Sequence, residues 1–275
     1  MIAILSDIHS NIHALDAVLA DMPEVSDILI LGDMIGGLAF PCQVLDRIMN
    51  LSVPVSAVLG NWEEGLLDGK RGLHPEWWTE GAKFAALAYT ADALQPHHWS
   101  FLESLDKTLN LDNIPGGALL YHGRPKNSRE SILNKEEASE VAAEHKEKWL
   151  LSGHTHIARL FRTGSGADPG NQKVVGVGSV GLSMDRIGGT ACYALLGEDL
   201  VFRHVAYNVE AAIKALESSS LAQCAPGFSR ANALSMASGR NHIASLMNFC
   251  QAYDGSWEEA EKAWDGSECL EWRLR

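Results

Sequence analysis

Apolar residues come in short runs near the start of the chain: Ile2-Ala3-Ile4-Leu5, Ile28-Leu29-Ile30-Leu31, then the largely apolar residues 53–59. Runs of this length, rich in β-branched residues, predict strands buried on both faces, as in a parallel sheet. Between them the period lengthens. Residues 11–22 carry Ile12, Leu15, Val18 and Leu19 on one helical stripe, and residues 41–51 open on Pro41 and carry Val44, Leu45 and Ile48. Both stretches predict helices, and the alternation is a βαβαβ start to an α/β fold. From 62 to 105 the strand pattern lapses into a predicted helical insertion containing Trp62, Trp77, Trp78 and Trp99. Strands resume at Ala118-Leu119-Leu120-Tyr121 and Trp149-Leu150-Leu151, with an exposed, charged helix predicted over 135–148 between them. Short β-rich pieces follow at 159–162, 173–177, 191–196 and 200–206, and a loop is expected over 164–171.

Residues 208–275 change character. Helices are predicted over 209–217, 230–253 and 256–264, broken at Pro226-Gly227 and Gly255. The organisation expected is a domain over 1–207, with 62–105 as a lid on it, and a helical extension over 208–275. Leu246, Met247, Phe249, Trp257 and Trp264 are too many apolar residues to leave in water, so the extension should pack on the core. An interface in a homo-oligomer is the alternative.

The candidate chemistry sits just past the strands. Asp7-x-His9 follows the first run, Gly32-Asp33 the second, Gly60-Asn61 the third, His122-Gly123 the fourth and Gly153-His154-Thr155-His156 the fifth. Open α/β sheets place their ligands at this edge. Asp7, His9, Asp33, Asn61, His122, His154 and His156 offer carboxylate, imidazole and amide oxygen, a set that suits divalent Mn, Fe, Co, Ni or Zn. No cysteine is among them, which argues against a structural zinc site. Each motif alone is common by chance; order and placement give the set its meaning. It predicts a dinuclear metal site and hydrolysis of a phosphoester.

Quoted as Asp7-Ile8-His9, Gly32-Asp33-Met34-Ile35-Gly36, Gly60-Asn61-Trp62-Glu63, His122-Gly123-Arg124-Pro125 and Gly153-His154-Thr155-His156, these blocks resemble the calcineurin-like metallophosphoesterase superfamily. The resemblance extends from Met1 to about Tyr207 and includes the turn Gly178-Ser179-Val180-Gly181. It implies a two-sheet mixed β-sandwich flanked by helices. It also implies two divalent metal ions, one on Asp7, His9 and His156, the other on Asn61, His122 and His154, with Asp33 bridging. A bridging hydroxide would attack phosphorus. Asp33, Asn61, His122 and Arg124 would be catalytic, and Asn11, Trp62 and Arg124 would contact substrate. One departure stands out: many members have His after the Asn of the third block, and this chain has Trp62. Indole donates a hydrogen bond but supplies no proton near neutral pH. The expected substrates are therefore phosphodiesters or nucleotide phosphoanhydrides first and phosphomonoesters second, with a non-catalytic metal- or nucleotide-binding scaffold as the alternative class.

Composition trims the possibilities. A formal net charge of −13 over 275 residues disfavours a nucleic-acid polymer as partner and leaves a small phosphoester or nucleotide. With no signal-like segment at the start and no apolar stretch of spanning length, no membrane is expected and cytoplasmic residence is the default. The five cysteines, Cys42, Cys192, Cys224, Cys250 and Cys269, lack C-x-x-C spacing and read as reduced thiols. Plainer roles compete at single positions. Asn11 is also a good helix cap, Arg124 an ordinary surface cation or a phosphate fork, and Glu63 a support for a ligand or merely a helix N-terminal acid. Histidines 13, 74, 97, 98, 145, 204 and 242 read as surface or packing residues, with His13 one turn from His9.

Overall fold

The computed structural model describes residues 1–73, 81–163 and 171–267. The first apolar runs form β1 (Ile2–Leu5), β2 (Asp27–Ile30) and β3 (Val55–Ala57), paired in parallel. The two stripes form α1 (Ile12–Asp21) and α2 (Pro41–Met49), the second opening on Pro41, whose missing N–H costs nothing in a first turn. The insertion holds α3 (Asn61–Lys70), α4 (Ala85–Ala93) and α5 (Pro96–Glu103). Trp77, Trp78 and His74 lie outside the described residues, as do Cys269 and the expected loop up to residue 170.

Next come β4 (Thr108–Leu111), β5 (Ala118–Tyr121), α6 (Lys135–Ala143), β6 (Trp149–Ser152), β7 (Ala158–Thr163), β8 (Gln172–Val177), β9 (Thr190–Leu196) and β10 (Leu200–Ala206). Among the described residues they form two mixed five-stranded sheets, ordered β10-β9-β1-β2-β3 and β4-β5-β6-β8-β7. This is the two-sheet architecture with flanking helices that was expected. The side-chain period of two explains the unbroken runs: in β1, Ala3 and Leu5 face the helical layer while Ile4 faces the second sheet. In β5, Leu120 joins the layer between the sheets, and Leu119 and Tyr121 pack with Ala138 and Val141 of α6. Both faces are dry, which is why apolar residues run through these strands with little interruption.

Three local expectations differ. β4 carries no strand signal in the sequence because Thr108-Leu109-Asn110-Leu111 is an edge strand with only partial burial. The charged helix ends at Ala143, several residues early. The helix expected over 230–253 is two helices: the extension comprises α7 (Val209–Glu217), α8 (Ser220–Cys224), α9 (Pro226–Ser238), α10 (His242–Ala252) and α11 (Trp257–Ala263). Gly239, left-handed at φ 65°, closes α9, and Asn241 then caps α10 by accepting from the Ala244 N–H at 2.8 Å. Pro226, expected as a break, starts α9 at its first turn. Ala212, Leu216, Leu221 and Met236 of the extension share a buried cluster with Leu38, Ala86 and Leu182, and Ala231, Leu246, Ala260 and Trp264 form another. No described helix is long and apolar enough to cross a membrane.

Candidate metal centre

The loops after β1 and β2 are laced together by their backbones. The N–H groups of Asp7, His9 and Ser10 donate to the carbonyls of Gly32, Asp33 and Met34 at 3.1, 2.9 and 3.0 Å. This lacing requires unusual backbone: Asp7, His9, Asp33, His154 and His156 all have positive φ, between 49° and 68°. Non-glycine residues rarely adopt this region, and a run of such residues at one place marks strain concentrated at a site. Gly60 is required by proximity, because a Cβ there would lie 2.2 Å from both the backbone nitrogen and Oδ1 of Asp33.

Buried Glu63 is the keystone. Its Oε2 accepts from the N–H groups of Gly60 and Asp33 at 2.8 and 2.9 Å, and its Oε1 from that of Ile35 at 3.1 Å. One carboxylate thus ties the turn before Asn61 to the turn carrying Asp33. Both readings of Glu63 hold, since it is a first-turn helix acid that also supports a neighbouring carboxylate. Burial, and after it the charge of Asp33, raise its pKa to about 7. The N–H of Trp62 donates to Asp33 Oδ1 at 2.9 Å, leaving Oδ2 to face the site.

Around that Oδ2 the seven side chains converge. Nε2 of His122 is 3.3 Å from it and Nε2 of His9 is 3.7 Å. On one side, Asp7 Oδ1 lies 3.2 Å from His156 Nε2 and 3.7 Å from His9 Nε2. On the other, Asn61 Oδ1 lies 3.2 Å from His122 Nε2 and 3.0 Å from His154 Nδ1. The resulting groups are Asp7, His9, His156 and Asn61, His122, His154, with Asp33 between them.

The outer ring nitrogens decide what the inner ones can do. His122 Nδ1, His154 Nε2 and His156 Nδ1 each meet a backbone carbonyl, of Leu31, Arg129 and Leu182, at 2.7, 3.1 and 2.8 Å. A carbonyl only accepts, so each outer nitrogen carries a hydrogen and, in the neutral ring, each inner nitrogen offers a lone pair. Those lone pairs point inward: that of His156 at His9 Nε2 across 3.1 Å, those of His154 and His122 at Asn61 Oδ1. With these rings neutral, inward-facing donor atoms crowd the centre without hydrogens of their own to share, and the residues therefore fit divalent metals. The protein alone shows the same demand for positive charge. Against the burial that disfavours charge, Asp33 and Asp7 raise the pKa of His122 to about 10. Asp7, despite complete burial, is held well below the usual carboxylate range by His156 and His122. Burial, then the neighbouring His122, lowers His154 to about 4.

Two residues expected to touch substrate are placed otherwise. Asn11 caps α1, its Oδ1 accepting from Ala14 N–H at 3.1 Å, and its amide donates to the Gly181 carbonyl at 2.9 Å. At 2 % exposure it is a structural tie. Arg124 directs its guanidinium to Glu130, Glu137 and Glu140 at 3.4 to 3.8 Å, so acidic neighbours occupy the fork expected for phosphate. The arginine bordering the centre is Arg129, whose carbonyl holds His154 and whose Nη2 reaches the Asn61 carbonyl at 3.5 Å. Nothing in the sequence distinguishes it from other loop cations. Trp62 sits against Gly36, its ring 6.3 Å from that of His9 and 6.1 Å from that of Phe228. His13 packs on Phe40, 5.8 Å between ring centres. His97 and His98 share Asp46, but His98 Nδ1 accepts from the Gln95 N–H, so its Nε2 carries the hydrogen and cannot bind a metal.

Comparison with known proteins identifies the family and the fold. The model of the calcineurin-like phosphoesterase superfamily domain matches residues 1–199. An uncharacterised protein of Methanocaldococcus jannaschii is 35% identical over 129 residues, 46% of this chain and 50% of that protein, so the match spans about half of the curated relative. A metallophosphoesterase from Sphaerobacter thermophilus superposes with a TM-score of 0.69 at 24% identity, covering 86% of this chain and 99% of that one. A hypothetical protein from Pyrococcus horikoshii superposes with a TM-score of 0.72 at 19% identity, covering 87% and 99%. At these identities the two structures establish the fold.

Proposed function

Because the chain belongs to the calcineurin-like phosphoesterase superfamily, we propose that it is a dinuclear metal-dependent hydrolase of phosphodiesters or nucleotide phosphoanhydrides. The observation that carries the reading is the convergence of inner histidine nitrogens with oxygens of Asp7, Asp33 and Asn61 at 3.0 to 3.7 Å. Asp7, His9 and His156 would hold one divalent ion, Asn61, His122 and His154 the other, and Asp33 would bridge. When bound, two such ions lower the pKa of water and neutralise charge that builds on phosphoryl oxygens.

The chain's own residues supply orientation. The Leu31, Arg129 and Leu182 carbonyls lock the tautomers, and the Trp62 N–H fixes Asp33 with one oxygen inward. Glu63 keeps the two ligand-bearing turns in register. Trp62 leaves no proton donor at its position, so a departing oxygen leaves as an anion and weakly basic leaving groups are favoured. The proposal includes a cytoplasmic home, which the unpaired thiols of Cys42, Cys192, Cys224 and Cys250 suit.

The test is hydrolysis of bis(p-nitrophenyl) phosphate by protein stripped of metal and reloaded with Mn, Fe, Co, Ni or Zn in turn, with bound metal counted. Turnover that requires about two ions per chain is expected. Folded, fully loaded protein that cleaves neither this diester nor dinucleoside polyphosphates would refute the reading.

A further inference from the structure

The metal centre has an apolar neighbour. A cavity of about 290 Å³ shares Asn61 and Arg129 with the centre and is walled by Trp62, Phe228, Ile243, Leu246, Met247 and Trp257. Its walls come from distant parts of the chain: α3, residues 83–87 and Arg129 on one side, and α9, α10 and α11 with Glu261 on the other. The second wall is fixed in place. Trp257 Nε1 donates to Glu261 Oε1 at 3.0 Å and the Gly227 N–H donates to Glu261 Oε2 at 3.2 Å, tying α11 to α9 and setting the plane of the Trp257 ring. The Trp62 ring is set from its other side by Gly36, where a Cβ would come within 2.3 Å of it.

We propose that this cavity receives the organic group carried by the phosphorus, an uncharged aromatic system of one or two rings. The helical extension then sets the class of substrate while the sheets supply the chemistry. The inference rests on the phosphoesterase reading above. Three arguments lead to it. Asn61 carries a side-chain oxygen in the centre and also lines the cavity, so a phosphoryl group in the centre has its ester substituent within reach of these walls. The walls are mainly rings and aliphatic chains, the lining typical of pockets that recognise apolar ligands and turn them with a few polar groups. The volume of about 290 Å³ is ample for a bicyclic ring.

Two measurements test this. The first needs no metal: titration of stripped protein with 2-naphthol and with adenosine, read by tryptophan fluorescence and calorimetry. Saturable binding is expected, weakened about tenfold or more by Met247→Glu, which places a charge in the apolar wall, and retained in Met247→Leu. The tighter of the two probes identifies the ring as hydrocarbon or nucleobase. The second compares two p-nitrophenyl phosphodiesters, one with a methyl and one with a 2-naphthyl second ester, on loaded enzyme. The ratio of kcat/KM, naphthyl over methyl, should fall about tenfold in Met247→Glu. Absence of binding by both probes, or affinities and ratio untouched by the substitution, overturns the proposal. Turnover with an unchanged ratio removes the cavity and leaves the phosphoesterase; binding without any turnover removes the phosphoesterase and leaves the cavity.

Discussion

Glu63 offers the sharpest check on the physics of the site, and its effect has a sign that intuition gets wrong. The perturbation is Glu63→Gln in metal-free protein. Glu63 is 0 % exposed, and burial followed by the charge of Asp33 raises its pKa from 4.5 to about 7. An acid with a raised folded pKa contributes stability that is fully present below its unfolded value and lost as pH rises through the folded one. The difference between 4.5 and about 7 corresponds to roughly 3 kcal/mol, lost progressively across that interval. Glutamine resembles the protonated acid and does not titrate. At pH 5 the two proteins should therefore unfold at similar denaturant concentrations, within about 2 kcal/mol for imperfect pairing of the Ile35 N–H. By pH 8 the wild type should have weakened relative to Glu63→Gln by roughly 3 kcal/mol. Glu63→Ala is the contrast, because it orphans three buried N–H groups at about 1–3 kcal/mol each and should destabilise at every pH. Urea unfolding of stripped protein at half-unit pH steps reads all three. A stability difference between wild type and Glu63→Gln that is flat from pH 5 to 8 would refute the reasoning.

Other outcomes follow from the same geometry. Asp33→Asn should lower metal content at both positions and abolish hydrolysis, whereas Asp7→Asn should mainly empty one, as counted by elemental analysis after dialysis; equal loss in both variants would argue against Asp33 as the shared ligand. Asn11→Ala should cost about 1–2 kcal/mol of stability through the lost cap of α1 with KM nearly unchanged, and a large rise in KM would restore its expected contact with substrate. Gly60→Ala should strip metal, since its Cβ would fall 2.2 Å from Asp33 Oδ1; a variant that still binds two ions would show that the turn can relax. Rates should rise steeply as leaving-group pKa falls, with aryl esters far ahead of phosphoserine, and Trp62→His should narrow that gap; equal rates on aryl and alkyl esters with chemistry limiting would mean another acid has taken over.

The sequence alone determined the buried strands and the identity of the seven converging side chains, because both depend on local pattern; the half-buried edge strand β4 escaped it. Dry faces on either side of a strand force runs such as Ile2-Ala3-Ile4-Leu5, and a ligand just past such a run is at the sheet edge wherever the strand ends up. What the tertiary structure decided depends on backbone groups, which leave no mark on residue identity. The carbonyls of Leu31, Arg129 and Leu182 fix three tautomers, yet any residue there would offer the same oxygen. Asn11 and Arg124 have the right chemistry for phosphate, and only packing shows that one is a cap and the other faces glutamates. The cavity wall assembled by Trp62, Phe228, Met247 and Trp257 is illegible for the same reason: its members lie far apart in the chain, and apolar residues that line a pocket look in sequence like apolar residues that fill a core.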